Sequence, residues 1–298
     1  MAAAERKVAV IGAGRLGGAA GRLLARSGYR VVAVTGRTRR SADAAARFVG
    51  AGAPLTDVAA AASRAAIVLI TTPDREIATV CRRIARGGGF RRGSLVAHAS
   101  GANGLDLLET ARAAGALRAV LHPLQSVPSR ERGVVNLPGS YFRIEADPGA
   151  QRRVRALVRA LGGRALSLPR WIAGQESAAL YHAGAVAASN YLVTLLDFAA
   201  RHLEALGASR RQALRALLPL VRGTLENVER LGIPAALTGP IARGDRVTVA
   251  AHLAALRSRA PHLLDLYRQL ARATVPLARG KGGLDAAAAA AILRLVRQ

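Results

Sequence analysis

Lysine is almost missing from this chain: of 44 lysine and arginine residues, only Lys7 and Lys281 are lysine. The formal charge of +26 is therefore nearly all arginine. Those arginines are spread along most of the chain, with no basic arm and no recognition motif, and read as a compositional bias toward Ala, Gly and Arg. Nucleic acid is not an expected partner, although the field favours anionic ligands. Cysteine is scarcer still. Cys81 stands alone, which excludes an intramolecular disulfide and a thiol-rich metal site. No metal is expected, and the lone thiol suits a reducing cytoplasm. Aromatic residues make up only 3%. The longest apolar run, residues 183–196, contains Ser189, Asn190 and Thr194 and stops at Asp197. That is short of the ~20 apolar residues of a membrane-spanning helix. The N-terminal residues lack the pattern of a secretion signal. A soluble, cytoplasmic protein is expected.

What is present points to two domains. The length of 298 residues exceeds that of one small domain, and 51% hydrophobic residues supply a sizeable core. In the first half, short β-branched runs alternate with amphipathic stretches. Strands are predicted at residues 7–11, 30–35, 66–71, 94–98, 118–121, 140–145 and 164–168. Helices are predicted up to residue 26, then at 41–48 with Ser41 as cap, 75–85, 105–113 and 149–161. This alternation implies βαβ units and a parallel sheet covered on both faces. Beyond residue 175 only helical periodicity is found: a long helix to 206, one capped by Ser209, then 248–258, 261–275 and 286–297. The fold class is α/β: a parallel-sheet domain of the Rossmann type is expected over residues 1–170, followed by an all-helical domain over 171–298, the place expected for substrate binding and dimerisation.

The strongest motif is Gly12-Ala13-Gly14-Arg15-Leu16-Gly17, placed between the first strand and the first helix. Gly12 permits the tight turn, Gly14 lets the backbone approach a pyrophosphate, and Gly17 lets helix and strand pack closely. The helix N-terminus then offers free N–H groups to phosphate. At the end of the second strand, an NAD site usually places an acid on the ribose hydroxyl. Here the chain reads Thr35-Gly36-Arg37-Thr38-Arg39-Arg40-Ser41, with no acid until Asp43. Gly36, Arg37 and Thr38 therefore point to a 2′-phosphate, and to NADP as cofactor.

Reactive groups in such sheets lie beyond the carboxyl ends of the strands. Three polar clusters occur there: Thr72-Pro73-Asp74, His98-Ala99-Ser100-Gly101, and His122-Pro123-Leu124-Gln125-Ser126. Thr72, Pro73 and Ser100 are candidates for contact with the cofactor; the alternative for such residues is that they merely cap the next turn. On the long helix, Gln175, His182 and Ser189 recur every seven residues on nearly one face, with Asn190 beside it. Either they line a cleft or His182 is a structural histidine. A turn-rich loop, residues 237–245, offers Thr238 and Arg243 to an anion.

These motifs together resemble the 6-phosphogluconate-dehydrogenase-like superfamily. Within it, the chain is similar to Rossmann-like proteins with a C-terminal domain of unknown function 2520. The resemblance is carried by the glycine motif, His122 to Ser126, Tyr181-His182-Ala183 through Ser189-Asn190-Tyr191-Leu192, and residues 238–245. It implies an NADP-dependent oxidoreductase acting on a small carbonyl substrate such as a 2-oxo acid, with ketopantoate as the best single candidate. Imine reduction and a non-catalytic NADP(H) sensor are the alternatives. Ketopantoate reductases carry a Lys and an Asn on the equivalent helix; here Asn190 is present without the Lys. Prephenate dehydrogenases carry a Ser and a His-Pro after successive strands, matched by Ser100 and His122-Pro123. The catalytic candidates are His182, His122, Ser100 and Asn190; Ser189, Thr238 and Arg243 are candidates for the substrate. A homodimer is expected.

Overall fold

The computed structural model describes residues 3–297. It forms two compact units, one ending at Ser189 and the other beginning at Asn190. The first is built on one sheet of eight strands: β1 (Lys7–Ile11), β2 (Arg30–Thr35), β3 (Ala53–Leu55), β4 (Ile67–Ile70), β5 (Leu95–His98), β6 (Leu117–Pro123), β7 (Tyr141–Ala146) and β8 (Arg164–Ala165). Their order is β3-β2-β1-β4-β5-β6-β7-β8. The order reverses between β1 and β4, which opens a crevice at the carboxyl ends of those two strands.

The strands β1, β4 and β5 are almost wholly buried, and their runs of Val, Ile, Leu and Ala suit a sheet covered on both faces. The helices that cover it are α1 (Arg15–Arg26), α2 (Arg39–Val49), α3 (Val58–Ala62), α4 (Asp74–Arg86), α5 (Glu109–Ala113), α6 (Arg130–Asn136) and α7 (Gln151–Ala160). One face packs Leu24, Val49, Leu137, Phe142 and Leu157 against the sheet, the other Val58, Ile77, Cys81, Ile84 and Leu108.

Several sequence expectations need correction. β3 is absent from the predicted strands; it has three residues and lies at the sheet edge, where its Pro54 costs no ladder bond. The short helices α3 and α6 carry too few residues for a periodicity to show. The sheet is also not wholly parallel, since β7 runs antiparallel to β6. The chain leaves β6 at Pro123 and forms α6, whose Gly133 packs on Ala19 near the start of α1. It then re-enters the sheet at the same end, where Leu124 N–H donates to the Tyr141 carbonyl. A strand entering from that end must run back. Helix α2 is capped by Thr38 rather than Ser41; Ser41 occupies the third helical position and completes a reciprocal capping box. The segment predicted as a helix from residue 105 begins as a 3-10 turn at Leu105–Leu108.

The remaining helices are α8 (Gln175–Glu204), α9 (Arg210–Leu231), α10 (Arg246–Arg259), α11 (Pro261–Gly280) and α12 (Ala286–Leu295). Ser209, Asp245 and Asp285 cap α9, α10 and α12 through their side chains. The second unit's core gathers Val249, Leu253, Val275, Ala278 and Ile292. Helix α11 continues past the predicted stop at Val275 and through Pro276, because Ala271, Val275 and Ala278 are buried along one face. Helix α8 is long and apolar enough, by length and composition, to cross a membrane, whereas the apolar run at residues 183–196 alone falls short. The interruptions at Ser189, Asn190 and Thr194 are diluted in a helix of 30 residues.

Leu24 is fully buried between α1 and the sheet. Leu24→Ala should lower unfolding stability by about 2–5 kcal/mol, read as a shift in the urea midpoint at unchanged slope.

Candidate functional site

The glycine turn after β1 is shaped by its neighbours. Gly12 has φ +83°, and a Cβ there would lie 2.5 Å from Thr72 Cγ2. Its N–H donates to Thr35 Oγ1 at 2.9 Å, which ties the turn to the end of β2. A Cβ at Gly17 would collide with Thr71 Oγ1, so glycine is what lets α1 approach β4. At Gly14 a Cβ would meet nothing nearer than the Gly12 carbonyl, 3.9 Å away, so the backbone there is open to a ligand. Helix α1 has no side-chain cap, and its first N–H groups face the same opening.

These features line a cavity of ≈ 750 Å³ with Gly12, Ala13, Gly14, Arg15, Gly36, Arg37, Ser41, Thr72 and Pro73. The sequence-predicted cofactor residues are thus gathered there, except four. Leu16 packs against the hydrophobic core, Gly17 is pressed against Thr71, Thr38 is occupied as the cap of α2, and Ser100 lies in a separate cluster. Sequence reasoning missed Arg75, Arg83 and Arg130, which also line the cavity. Arg75 directly follows the Thr72-Pro73-Asp74 cluster and was within reach of it. Arg130 comes from α6 and donates to the carbonyls of Ala13 and Gly14 at 2.7 and 3.1 Å. Only the tertiary structure brings it there. The cavity fits a dinucleotide: an exposed glycine backbone, an uncapped helix N-terminus and several guanidinium groups suit phosphates. No acidic side chain follows β2; Asp43 is turned to Arg39, 3.1 Å away.

A second cluster lies beyond β5 and β6. His98 accepts the Ser100 N–H at Nδ1, at 3.1 Å, and its Nε2 meets the Gly104 carbonyl at 2.8 Å. With both ring nitrogens spent on its own loop, His98 is structural. Ser100 is 2% exposed. Its hydroxyl donates to Asp74 Oδ2 at 2.6 Å and accepts from Asn103 Nδ2 at 2.8 Å. Arg143 is 1% exposed and donates to the carbonyls of Ser100 and Asn103 at 3.2 and 2.6 Å. Its charge is matched by Glu145, 8% exposed and 3.4 Å away, and its guanidinium lies 4.9 Å from the Trp171 ring centre. Burial pushes the Glu145 carboxyl up against the opposing pull of Arg143.

His122 is the direct cross-strand partner of Arg143. Burial first, then that guanidinium, push His122 down to about 4. Its Nδ1 lies 2.9 Å from the hydroxyl of Tyr181, and its ring stands edge-to-face with His182 at 5.9 Å. The structure therefore brings His122, His182 and Ser100 into one region of the first unit. Ser189 and Asn190 are exposed on α8, and Thr238 and Arg243 are exposed in the second unit. Tyr181 and Arg143 were missed as site residues. The quoted run Tyr181-His182 contained the first; nothing local marked the second.

Residues 1–123 match a Rossmann-like domain and residues 140–274 the domain of unknown function DUF2520. The pairing places the chain among the Rossmann-like proteins that carry a DUF2520 domain. No curated protein sequence matches it. Among solved structures, a Bacteroides fragilis protein provisionally named an NADP oxidoreductase is 26% identical, with a TM-score of 0.72. The match covers 92% of this chain and 100% of that one. A Thermotoga maritima protein is 21% identical over 98% of this chain and 99% of its own, with a TM-score of 0.65. A reductive aminase from Aspergillus terreus, in complex with NADPH and ethyl-5-oxohexanoate, is 18% identical with a TM-score of 0.64. That match covers 95% of this chain and 97% of the aminase.

Removing the Arg143 guanidinium would leave Glu145 buried and unpaired. Arg143→Met should destabilise by about 3–5 kcal/mol near pH 7. A carboxyl raised in the folded state is favourable while protonated and costs stability as it ionises. The deficit of Arg143→Met should therefore be smallest at acid pH and widen as pH rises from 4.5 toward 7. Thermal midpoints against pH check this, and Arg143→Met with Glu145→Leu should remove the widening.

Proposed function

We propose that this chain is an NADP(H)-dependent oxidoreductase that transfers a hydride between NADPH and a small carbonyl substrate, a 2-oxo acid such as ketopantoate being the first to test. The observation that carries this is the cleft after β1. Its uncapped helix, open Gly14 backbone and acid-free β2 end match what an NADP pyrophosphate and 2′-phosphate require. The likeness to the Bacteroides fragilis protein provisionally named an NADP oxidoreductase, over its full length, supports it. NADPH would supply the hydride. Gly12, Ala13, Gly14 and Arg15 would hold its pyrophosphate, and Gly36, Arg37 and Ser41 its adenosine phosphate. His122 and His182 would bond the substrate oxygen and manage its proton. Ser100, with its hydroxyl held between Asp74 and Asn103, would keep the neighbouring loop in place rather than touch substrate. Imine reduction is the second reading, favoured by the fold shared with the reductive aminase.

The apolar helix α8 supports a homodimer. Leu180, Tyr191 and Val193 on it are 77%, 64% and 67% exposed, and only 6% of its most apolar stretch is buried. A second copy packed around this helix is the simplest way to remove such a surface from water. Light scattering at micromolar concentration should give twice the chain mass; a monomer would rule the dimer out.

Titration of the apoprotein should show tighter binding of NADPH than of NADH. Arg37→Ala should weaken NADPH about 10- to 100-fold and leave NADH nearly unchanged, as expected for loss of a charged hydrogen bond. Equal affinities in the unaltered protein would defeat the cofactor assignment. An NADPH-oxidation screen over 2-oxo acids and cyclic imines tests the reaction.

A further inference from the structure

Tyr181 Oη and His122 Nδ1 are each other's only hydrogen-bond partners among the described residues. A phenol hydrogen needs an acceptor. If His122 Nδ1 carried the ring hydrogen and donated, the tyrosine hydrogen would have none. The satisfied arrangement has Tyr181 donating to Nδ1, which leaves the ring hydrogen of neutral His122 on Nε2. That nitrogen faces Gly101: a Cβ placed on Gly101 would lie 2.8 Å from His122 Nε2 and 2.5 Å from His182 Nδ1. His182 Nδ1 is buried and has no hydrogen-bond partner among the described residues. Two ring nitrogens thus converge over one glycine, each within 3 Å of where a Cβ would stand, so that only glycine is tolerated beneath them. The loop that carries Gly101 is fixed on both sides, by Arg143 on the Ser100 and Asn103 carbonyls and by the Asp74–Ser100–Asn103 chain.

We propose that Tyr181 fixes His122 as the Nε2–H tautomer, and that His122 Nε2 and His182 Nδ1 together cradle the oxygen of a carbonyl or alcohol above Gly101. This rests on the oxidoreductase reading and narrows it, because the two candidate substrate classes differ in lone pairs. A carbonyl oxygen has two and accepts from both nitrogens at once. An imine nitrogen has one, and would leave the second donor unpaired. In the reducing direction the carbonyl carbon receives a hydride from NADPH, forming a C–H bond as the C=O π pair moves onto oxygen. The oxygen takes a proton from Nδ1 of protonated His182 and keeps the hydrogen bond from His122. The carbonyl is reduced to an alcohol, NADPH is oxidised to NADP⁺, and His182 is left neutral. The electrostatics agree with this division of labour. Burial, then Arg143 and His182, hold His122 down against the weaker pull of Asp74, and burial pushes Tyr181 up to about 12. His122 therefore remains a neutral donor.

The test has a readout that needs neither cofactor nor substrate. Nitrogen-15 NMR of histidine-labelled protein, with the signal assigned by its loss in His122→Gln, reports which ring nitrogen is protonated. Near pH 7, His122 should show a protonated Nε2 and a bare Nδ1, and Tyr181→Phe should let the Nδ1–H form appear. A protonated Nδ1 in the unaltered protein overturns the tautomer. If Tyr181→Phe does not fold, the unaltered spectrum decides alone. With NADPH, pyruvate and ketopantoate should be reduced with a kcat/KM at least ~100-fold above that for the cyclic imine 1-piperideine-2-carboxylate, since a buried group left unpaired discriminates strongly. Faster reduction of the imine overturns the substrate class while leaving the oxidoreductase reading intact. Tight NADPH binding with no reduction of either kind overturns the oxidoreductase reading and the substrate class with it; the NMR result still decides the tautomer.

Discussion

One buried guanidinium organises the chemistry of the first unit. Arg143 sits on an inner-facing position of β7 opposite His122, and its donors reach two carbonyls of the loop that follows β5. Its ring contacts reach Trp171 and Tyr181, so strand, loop and helix are all fastened to one charge. Such a group is costly to bury, and it is tolerated because Glu145, the carbonyls and the ring faces replace water. The consequence is a loop held in place directly beneath the two histidines.

The cofactor cleft follows a different logic. Nothing buried and charged holds it; the absence of side chains does. Gly12 and Gly17 let strand, turn and helix come within contact of Thr71 and Thr72, while Thr35 ties the turn to the neighbouring strand. Arg130 then donates to two carbonyls of this turn, that of Ala13 and that of Gly14, which also accepts the Gly18 N–H. The antiparallel return of β7 is the price of placing α6 where Arg130 can do this.

The sheet's strands were readable in the sequence because central strands are continuous apolar runs, and β1, β4 and β5 are buried on both faces. The glycine motif was readable because its function depends on residue type at fixed spacing. The direction of β7, the edge strand β3 and the short α6 were not. Each is decided by where the chain re-enters the sheet or by its edge position, and a local window contains neither. Ser100 shows the same limit at the site: position after a strand suggested contact with ligand, yet its hydroxyl is consumed between Asp74 and Asn103.

By itself, the sequence determined the α/β order, the glycine turn, the missing acid after β2 and the histidine at the end of β6, because each depends on local periodicity or on a residue's own chemistry. Only the tertiary structure decided that Arg143 would face His122, that Tyr181 would bond its Nδ1, and that Gly101 would lie under both histidines. Those relations join residues 21 to 81 positions apart. They depend on strand register and on the path of α8, which no local pattern of side chains encodes.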